Sequence, residues 1–414
     1  MKEYHILPTR RGFLAAGALL HPRTRALAAA RNPVEKKTVA AVVTEYRYLS
    51  HADVIVGRFL AGYEPDNVHV EPRTRIVSMY TDQIAKKDMN RDLAARYGFK
   101  IYPTIEGALT LGKGGRLAVD AVLLIGEHGQ YPANEKGQRL YPRFELFEAI
   151  MEVYRRGRIA PLYTDKHFSY SWLKAKMMYD QAKSLGVPLM AGSSIPVTVR
   201  TPELELPLGC PLEHAVAVGY GDFDAYGFHT LEALQCMVER RRGAETGIAA
   251  VHWLENDAVW QWRDSEQGRW SAPLLTAALA RSPGTKPGRP EDNCKHPALF
   301  LLEYRDGFHA AAYMLNGATE GWTFAGRLKG KPDPVSTYFG LPPGGRMMVP
   351  FDGLVHCIEE LFVTGKPLYP VERTLLTTGA LSFLFDSRVQ KKRLETSPLK
   401  IGYHAPLHCY FERA

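Results

Sequence analysis

The stretch that most constrains this chain runs from Ala160 to Ser194, APLYTDKHFSYSWLKAKMMYDQAKSLGVPLMAGSS. It reads as strand, polar turn, helix, strand. Pro161, Leu162 and Tyr163 suit a short buried strand. Thr164, Asp165, Lys166 and His167 then break the apolar run, and Ser169 or Ser171 offers a hydroxyl to cap the next helix. Ala175, Met178, Tyr179, Ala182 and Leu185 recur at helical spacing and predict one buried face. Gly186 supplies the left-handed residue that ends the helix, and residues 187–191 form the second strand. Two strands joined through one helix run parallel, so the turn lies at the carboxyl end of the first. Ligands of open α/β sheets bind on that edge. Lys166 therefore stands where chemistry is expected, although most turn lysines are simply solvated.

The residues before this unit extend the same pattern. Strands are expected at 38–43, 75–80 and 118–125, with helices at 51–59, 88–97 and 144–154. Strands alternating with helices across residues 38–191 predict a doubly wound parallel sheet, an α/β architecture. A glycine-rich turn after the first strand would let a backbone approach a pyrophosphate. Here the turn reads TEYRYLSHAD, with no glycine until Gly57. Thr44, Arg47 and Ser50 are its candidates for a phosphate contact, and Ser50 can also cap the helix that follows. Asp82, just past the second strand, either binds ribose hydroxyls or caps the helix of residues 88–97.

The second half changes character. A strand at 215–220 leads through Asp224 and Gly227 into a helix whose buried stripe is Phe228, Leu231, Leu234 and Val238. His229 lies off that stripe in the first helical turn, as an acid–base group or as an ordinary histidine near a cap. Residues 264–293 are rich in Pro, Gly and charge and read as a surface excursion. Residues 298–313 read as a hairpin around Asp306-Gly307, and 322–328 as a further strand. Two helices are expected at 350–362 and 371–386.

The TDKH turn, the serine-rich helix start and GVPLMAGSS together resemble the glucose–fructose oxidoreductase/inositol dehydrogenase (Gfo/Idh/MocA) family. That family carries a Glu-Lys-Pro turn whose lysine touches nicotinamide and substrate. Lys166 matches the lysine, while Asp165 replaces the Glu and His167 the Pro. Gly227 and His229 match a second family pattern, Asp-x-Gly-x-His, with Asp224 one residue early. Glu127 and His128 fall where the family has a loop beside the nicotinamide. The resemblance implies a Rossmann-like domain over 31–165 and an α+β domain with a mostly antiparallel open sheet over 166–414, whose last helices return to the first domain. It also implies NAD or NADP as cofactor, a sugar, inositol or related polyol as substrate, and a homo-oligomer formed through the second sheet. Lys166, His229 and Asp224 would be catalytic. Thr44, Arg47, Ser50, Asp82, Glu127, His128 and Lys166 would face the cofactor.

The missing glycine turn keeps two other classes open. One is a metal- or acid–base-dependent lyase, isomerase or hydrolase built on Glu127, His128, Asp165, His167 and His229. The other is a non-catalytic carbohydrate-binding protein on the same scaffold. Nucleic-acid binding has little support: the one basic run in the body, Arg240-Arg241-Arg242, lacks interleaved aromatics and reads as a solvated helix end. The five cysteines are widely spaced with no CxxC pair, which argues for buried free thiols. Beyond the N-terminus no segment approaches the ~20 apolar residues of a membrane span. Within residues 1–30, Arg10-Arg11 before Phe13-Leu14 and a short apolar run form a twin-arginine export pattern. It predicts a periplasmic protein, or a cytoplasmic one if the short signal does not function.

Overall fold

The computed structural model describes residues 35–340 and 350–413. The expected export segment at 1–30 lies outside them. The first sheet is built from β1 (Lys37–Val43), β2 (Thr74–Thr81), β3 (Lys100–Ile101), β4 (Ala121–Ile125), β5 (Leu162–Asp165) and β6 (Leu189–Gly192). All neighbours are parallel, in the order β3-β2-β1-β4-β5-β6. β1 and β4 are central, and their wholly buried Val39–Val43 and Ala121–Ile125 explain the near-continuous apolar runs. The crossovers carry α1 (His51–Ala61), α2 (Asn90–Tyr97), α3 (Ile105–Thr110), α4 (Arg143–Tyr154) and α5 (Trp172–Leu185). This is the expected Rossmann-like order, with its switch point between β1 and β4. β6 lies past residue 165, so the first sheet takes in the whole strand–turn–helix–strand unit.

The second sheet follows from β7 (Arg200–Thr201), β8 (Leu212–Gly219), α6 (Ala225–Val238), β9 (Ile248–Glu255), α7 (Asp257–Asp264), α8 (Ser271–Leu279) and α9 (Pro290–Asn293). After these come β10 (Ala298–Tyr304), β11 (His309–Met314), β12 (Trp322–Leu328), β13 (Val335–Phe339), α10 (Pro350–Thr364), α11 (Val371–Gln390) and β14 (Leu394–Glu395). The order is β14-β9-β10-β11-β8-β12-β13-β7, antiparallel except for the β11–β8 pair. The hairpin forms around Asp306-Gly307 as expected, Gly307 taking φ +82°.

Three local expectations are corrected. Residues 264–293 are not a surface excursion throughout: α8 buries Leu274, Leu275, Ala278 and Leu279 against Val216, Val218 and Ala325 of the sheet. Pro273 is compatible with this because it sits in the first helical turn, where its missing N–H costs nothing. Arg240 and Arg241 are buried rather than solvated. Arg240 donates to the carbonyls of Leu206, Pro406 and Leu407, and Arg241 pairs with Glu245 and Asp306. Finally, neither Ser169 nor Ser171 caps α5 through its hydroxyl. The N–H of Trp172 instead donates to Ser382 Oγ of α11, at 3.2 Å.

Two C-terminal helices position the site. α11 packs on α5, α6 and β9 between the sheets. α10 packs on α1 and β2, contributing Leu354, Val355, Ile358, Leu361 and Phe362 to the core beneath the first sheet. Its Glu359 is fully buried and accepts from Tyr63, Arg73 and Thr74. All five cysteines are free and buried, as expected.

Candidate functional site

Leu49, His128 and Lys166 follow β1, β4 and β5, and each adopts a positive φ, +58°, +71° and +66°. That region costs a residue with a Cβ about 1–2 kcal/mol. Three such residues at the carboxyl edge of one sheet mark a place where side-chain direction is fixed at some cost. Lys166 is held there by its N–H, which donates to Gly192 O at 3.0 Å. Gly192 itself, at φ +127°, has no room for a Cβ: Glu232 Oε1 and Thr374 Oγ1 would each lie 2.9 Å away.

Lys166 and His229 meet at 2.7 Å, Nζ to Nε2, on the wall of an inner cavity of about 320 Å³. Burial, and then the Lys166 charge, push the His229 pKa well down, so the imidazole is neutral. Its Nδ1 has no partner among the described residues. The ring stands edge-on to Trp322 at 5.0 Å, and Tyr220 and Tyr226 complete an aromatic wall around that indole. Trp322 Nε1 is buried, also without a partner among the described residues, a donor available to a ligand.

Behind Lys166 lies a chain of buried charge. Gly126 leaves the space that Arg143 fills, since a Cβ there would meet Arg143 Cγ at 2.5 Å. Arg143 is fully buried, ion-pairs with Glu127 and donates to His167 Nε2 at 3.0 Å. Burial alone would raise the Glu127 pKa, but Lys166, Arg143 and His51 hold it well below the carboxylate range. His167 is kept neutral by burial and by Arg143. Asp224 accepts the Arg139 N–H at 2.9 Å and faces His167 at 3.6 Å, and burial raises its pKa to about 6. Ala225, not Asp224, lines the inner cavity. Glu127 and His128 also line it, so they are not a solvated loop. His128 is pushed down to about 4 by burial and by His51.

A second, open cavity of about 840 Å³ shares His128 and runs over the ends of β1, β2 and β4. Arg47, Lys86, Lys87 and Arg139 give it a cationic lining, with Glu45 ion-paired to Arg47 at 2.7 Å. The other residues expected to face a cofactor are already engaged. Thr44 Oγ1 donates to Glu127 O at 2.6 Å. Ser50 Oγ accepts from Asp53 N at 3.3 Å and caps α1, while Asp53 Oδ2 accepts from Leu49 N at 2.9 Å in the turn before the helix. Asp82 accepts from Tyr80 and Tyr131 hydroxyls at 2.9 and 2.6 Å and does not cap α2, whose cap position is Met89.

Sequence reasoning missed His51, Arg143, Glu232 and Trp322. Glu232 lies one turn after His229, fully buried, and accepts from Ser193 N at 2.6 Å. Burial raises its pKa to about 7 despite that bond. Its spacing from His229 was visible, but nothing local marks a buried carboxylate.

No protein-family model matches the chain, and no curated protein matches it in sequence. Its fold is that of solved Gfo/Idh/MocA-type dehydrogenases. GenD2 from gentamicin A biosynthesis, solved in complex with NAD, superposes with a TM-score of 0.56 at 14% identity, over 88% of this chain and 98% of that one. Myo-inositol 2-dehydrogenase from Lactobacillus plantarum gives 0.53 at 10%, over 88% and 100%. A myo-inositol dehydrogenase from Corynebacterium glutamicum gives 0.52 at 9%, over 88% and 100%. At such identities the likeness establishes the fold.

Proposed function

We propose that this chain is an NAD(P)-dependent oxidoreductase acting on a sugar, inositol or related polyol. The observation that carries the reading is the buried Lys166–His229 contact, set in an aromatic-walled cavity at the carboxyl edge of a Rossmann-like sheet. Bound NAD(P) would supply a hydride acceptor for the carbinol carbon. The chain fits such a group with altered phosphate contacts. Ser50 already takes one N–H of the α1 terminus, and Arg47, Lys86, Lys87 and Arg139 would meet the phosphates, with the nicotinamide toward Lys166. In the reacting state Lys166 is the free amine: His229 Nδ1 takes the carbinol proton while its Nε2–H passes to that amine, so one proton moves and the positive charge it brings rests on Lys166. Trp322, Tyr220 and Tyr226 offer faces to the substrate's C–H groups, and Trp322 Nε1 a donor to a hydroxyl. The test is NAD(P)H formation with a panel of inositols and aldoses, together with calorimetry at millimolar dinucleotide. Absence of any dinucleotide binding overturns the reading.

One observation favours a second reading, an acid–base enzyme without redox chemistry. One N–H of the α1 terminus that would face a pyrophosphate, that of Asp53, is already taken by Ser50 Oγ. Polyol turnover without dinucleotide would select it. Two further parts of the proposal rest on the sequence and on analogy. Export by the twin-arginine route should be lost on changing Arg10 and Arg11 to Lys, with protein retained in the cytoplasm. Self-association through the second sheet should appear as a dimer or larger species in sedimentation.

A further inference from the structure

Oxidising a carbinol takes one proton acceptor, which the Lys166–His229 pair supplies. The inner cavity has a second. His51, the first residue of α1, lines the same wall, and its Nδ1 lies 2.6 Å from Asp165 Oδ2. Asp165 is fully buried at the end of β5, adjacent to Lys166 in the chain. A carboxylate only accepts, so Nδ1 carries a proton, and in the neutral ring Nε2 then presents its lone pair. The ring is wedged between His128 and Phe351, each with a centroid 5.2 Å away, which fixes its plane. The groups that face it are Asp165 from β5, Glu127 and His128 from the loop after β4, and His229 from α6. An aspartate that orients one ring nitrogen and exposes the other is the arrangement of a general base.

We propose that His51, oriented by Asp165, is a second proton-transfer residue of the inner cavity, acting on the carbon next to the carbonyl that hydride removal creates. The inference rests on the polyol reading of the cavity. His51 Nε2 takes the proton from that carbon. The C–H electron pair becomes the C=C bond of an enolate, the carbonyl π pair moves to oxygen, and Lys166 donates a hydrogen bond to that oxygen. Return of the proton from Nε2 restores the ketone, and no oxidant or reductant is consumed. The activity is α-proton exchange, and epimerisation where the proton returns to the other face. Asp165 is a positioning residue, since it acts through His51.

Two measurements test this. In protein labelled with ¹⁵N-histidine, with His51 assigned by its loss in His51→Gln, the ring should carry its proton on Nδ1 at pH 8. Asp165→Asn should move it toward Nε2. An Nε2–H tautomer in the wild type overturns the proposal without recourse to any variant. The second probe is 2-keto-myo-inositol in D₂O without dinucleotide, followed by proton NMR. The wild type should exchange the hydrogens next to the carbonyl above the buffer rate, and His51→Gln should lose ~100-fold of that excess. Equal exchange in wild type, His51→Gln and buffer overturns it. Exchange with no NAD(P) reduction would sink the oxidoreductase reading alone and leave proton transfer by His51 standing for a ketone that is bound as such.

Discussion

The two ends of the cleft are built in opposite ways. At β5 the turn keeps a lysine in a strained backbone position, buried against a histidine from α6. At β1 the turn has no glycine, places Leu49 at φ +58°, and closes the following helix with its own Ser50–Asp53 cap. Among the described residues, the β5 end holds unsatisfied polar atoms on the cavity wall such as His229 Nδ1 and Trp322 Nε1, whereas in the β1 turn Thr44, Ser50 and Asp53 are hydrogen-bonded within the protein and the Tyr46 hydroxyl is buried without a partner. The difference teaches that the reacting centre and the phosphate anchor of such a fold are separable. On the proposed function, the first would depend on the Lys166–His229 pair and the second on charge that several side chains could supply.

The largest effect should come from breaking the β5 end. Lys166→Met should cut NAD(P)-dependent turnover by ~100-fold or more, and Lys166→Arg should not restore it, because a guanidinium stays protonated. Retained activity in Lys166→Met would make the two ends equally inert.

The buried carboxylate behind that lysine gives a pH-dependent test. Glu232 titrates near 7 in the folded protein against an ordinary 4.5. Below pH 4.5 it is protonated folded or unfolded. Between 4.5 and 7 the unfolded chain ionises first, so stability falls as pH rises, by ~3 kcal/mol at pH 8. Glu232→Gln should remove that fall, so its melting temperature should gain on the wild type from pH 5 to pH 8. Parallel pH curves would show that Glu232 is not a buried acid.

At the β1 end the effects should be graded. Removing Arg47, Lys86 and Lys87 one at a time should weaken dinucleotide binding by about 1–3 kcal/mol where a charged hydrogen bond is lost. The loss should shrink at high salt. If none of the three matters, the phosphates lie elsewhere. The smallest effect is Ser50→Ala, about 1 kcal/mol of stability from an N-cap, read by denaturant titration. A loss of dinucleotide affinity in Ser50→Ala far beyond that would mean the hydroxyl serves a ligand as well as the helix.

Much of the fold was legible because its signals are local. Alternating strands and helices, Ser50 before α1, Gly186 after α5 and Asp306-Gly307 in the hairpin all sit within a few residues of what they determine. Lys166 and His229 were legible from a motif, and the structure brings them together. What escaped depends on partners far along the chain. Arg240 was read as solvated because the carbonyls it satisfies, at Pro406 and Leu407, lie more than 160 residues away. His51 gained meaning only from Asp165, 114 residues on. The buried face of α8 was hidden by Pro273 and by the Gly- and Pro-rich residues that follow.

The return of α10 to the first sheet has a consequence for how the chain is made. On the ribosome the parallel strands are complete once Gly192 has emerged, yet the helix that covers one side of them arrives only with residues 350–364. Until then the apolar side of α1 and the hydroxyls of Tyr63 and Thr74 have no cover, because Leu354, Ile358 and Glu359 are still being synthesised. A nascent chain stalled at residue 340 should therefore be sticky, protease-sensitive and held by chaperones. The first half of the gene should not yield a soluble fragment, although it encodes every strand of a six-stranded sheet.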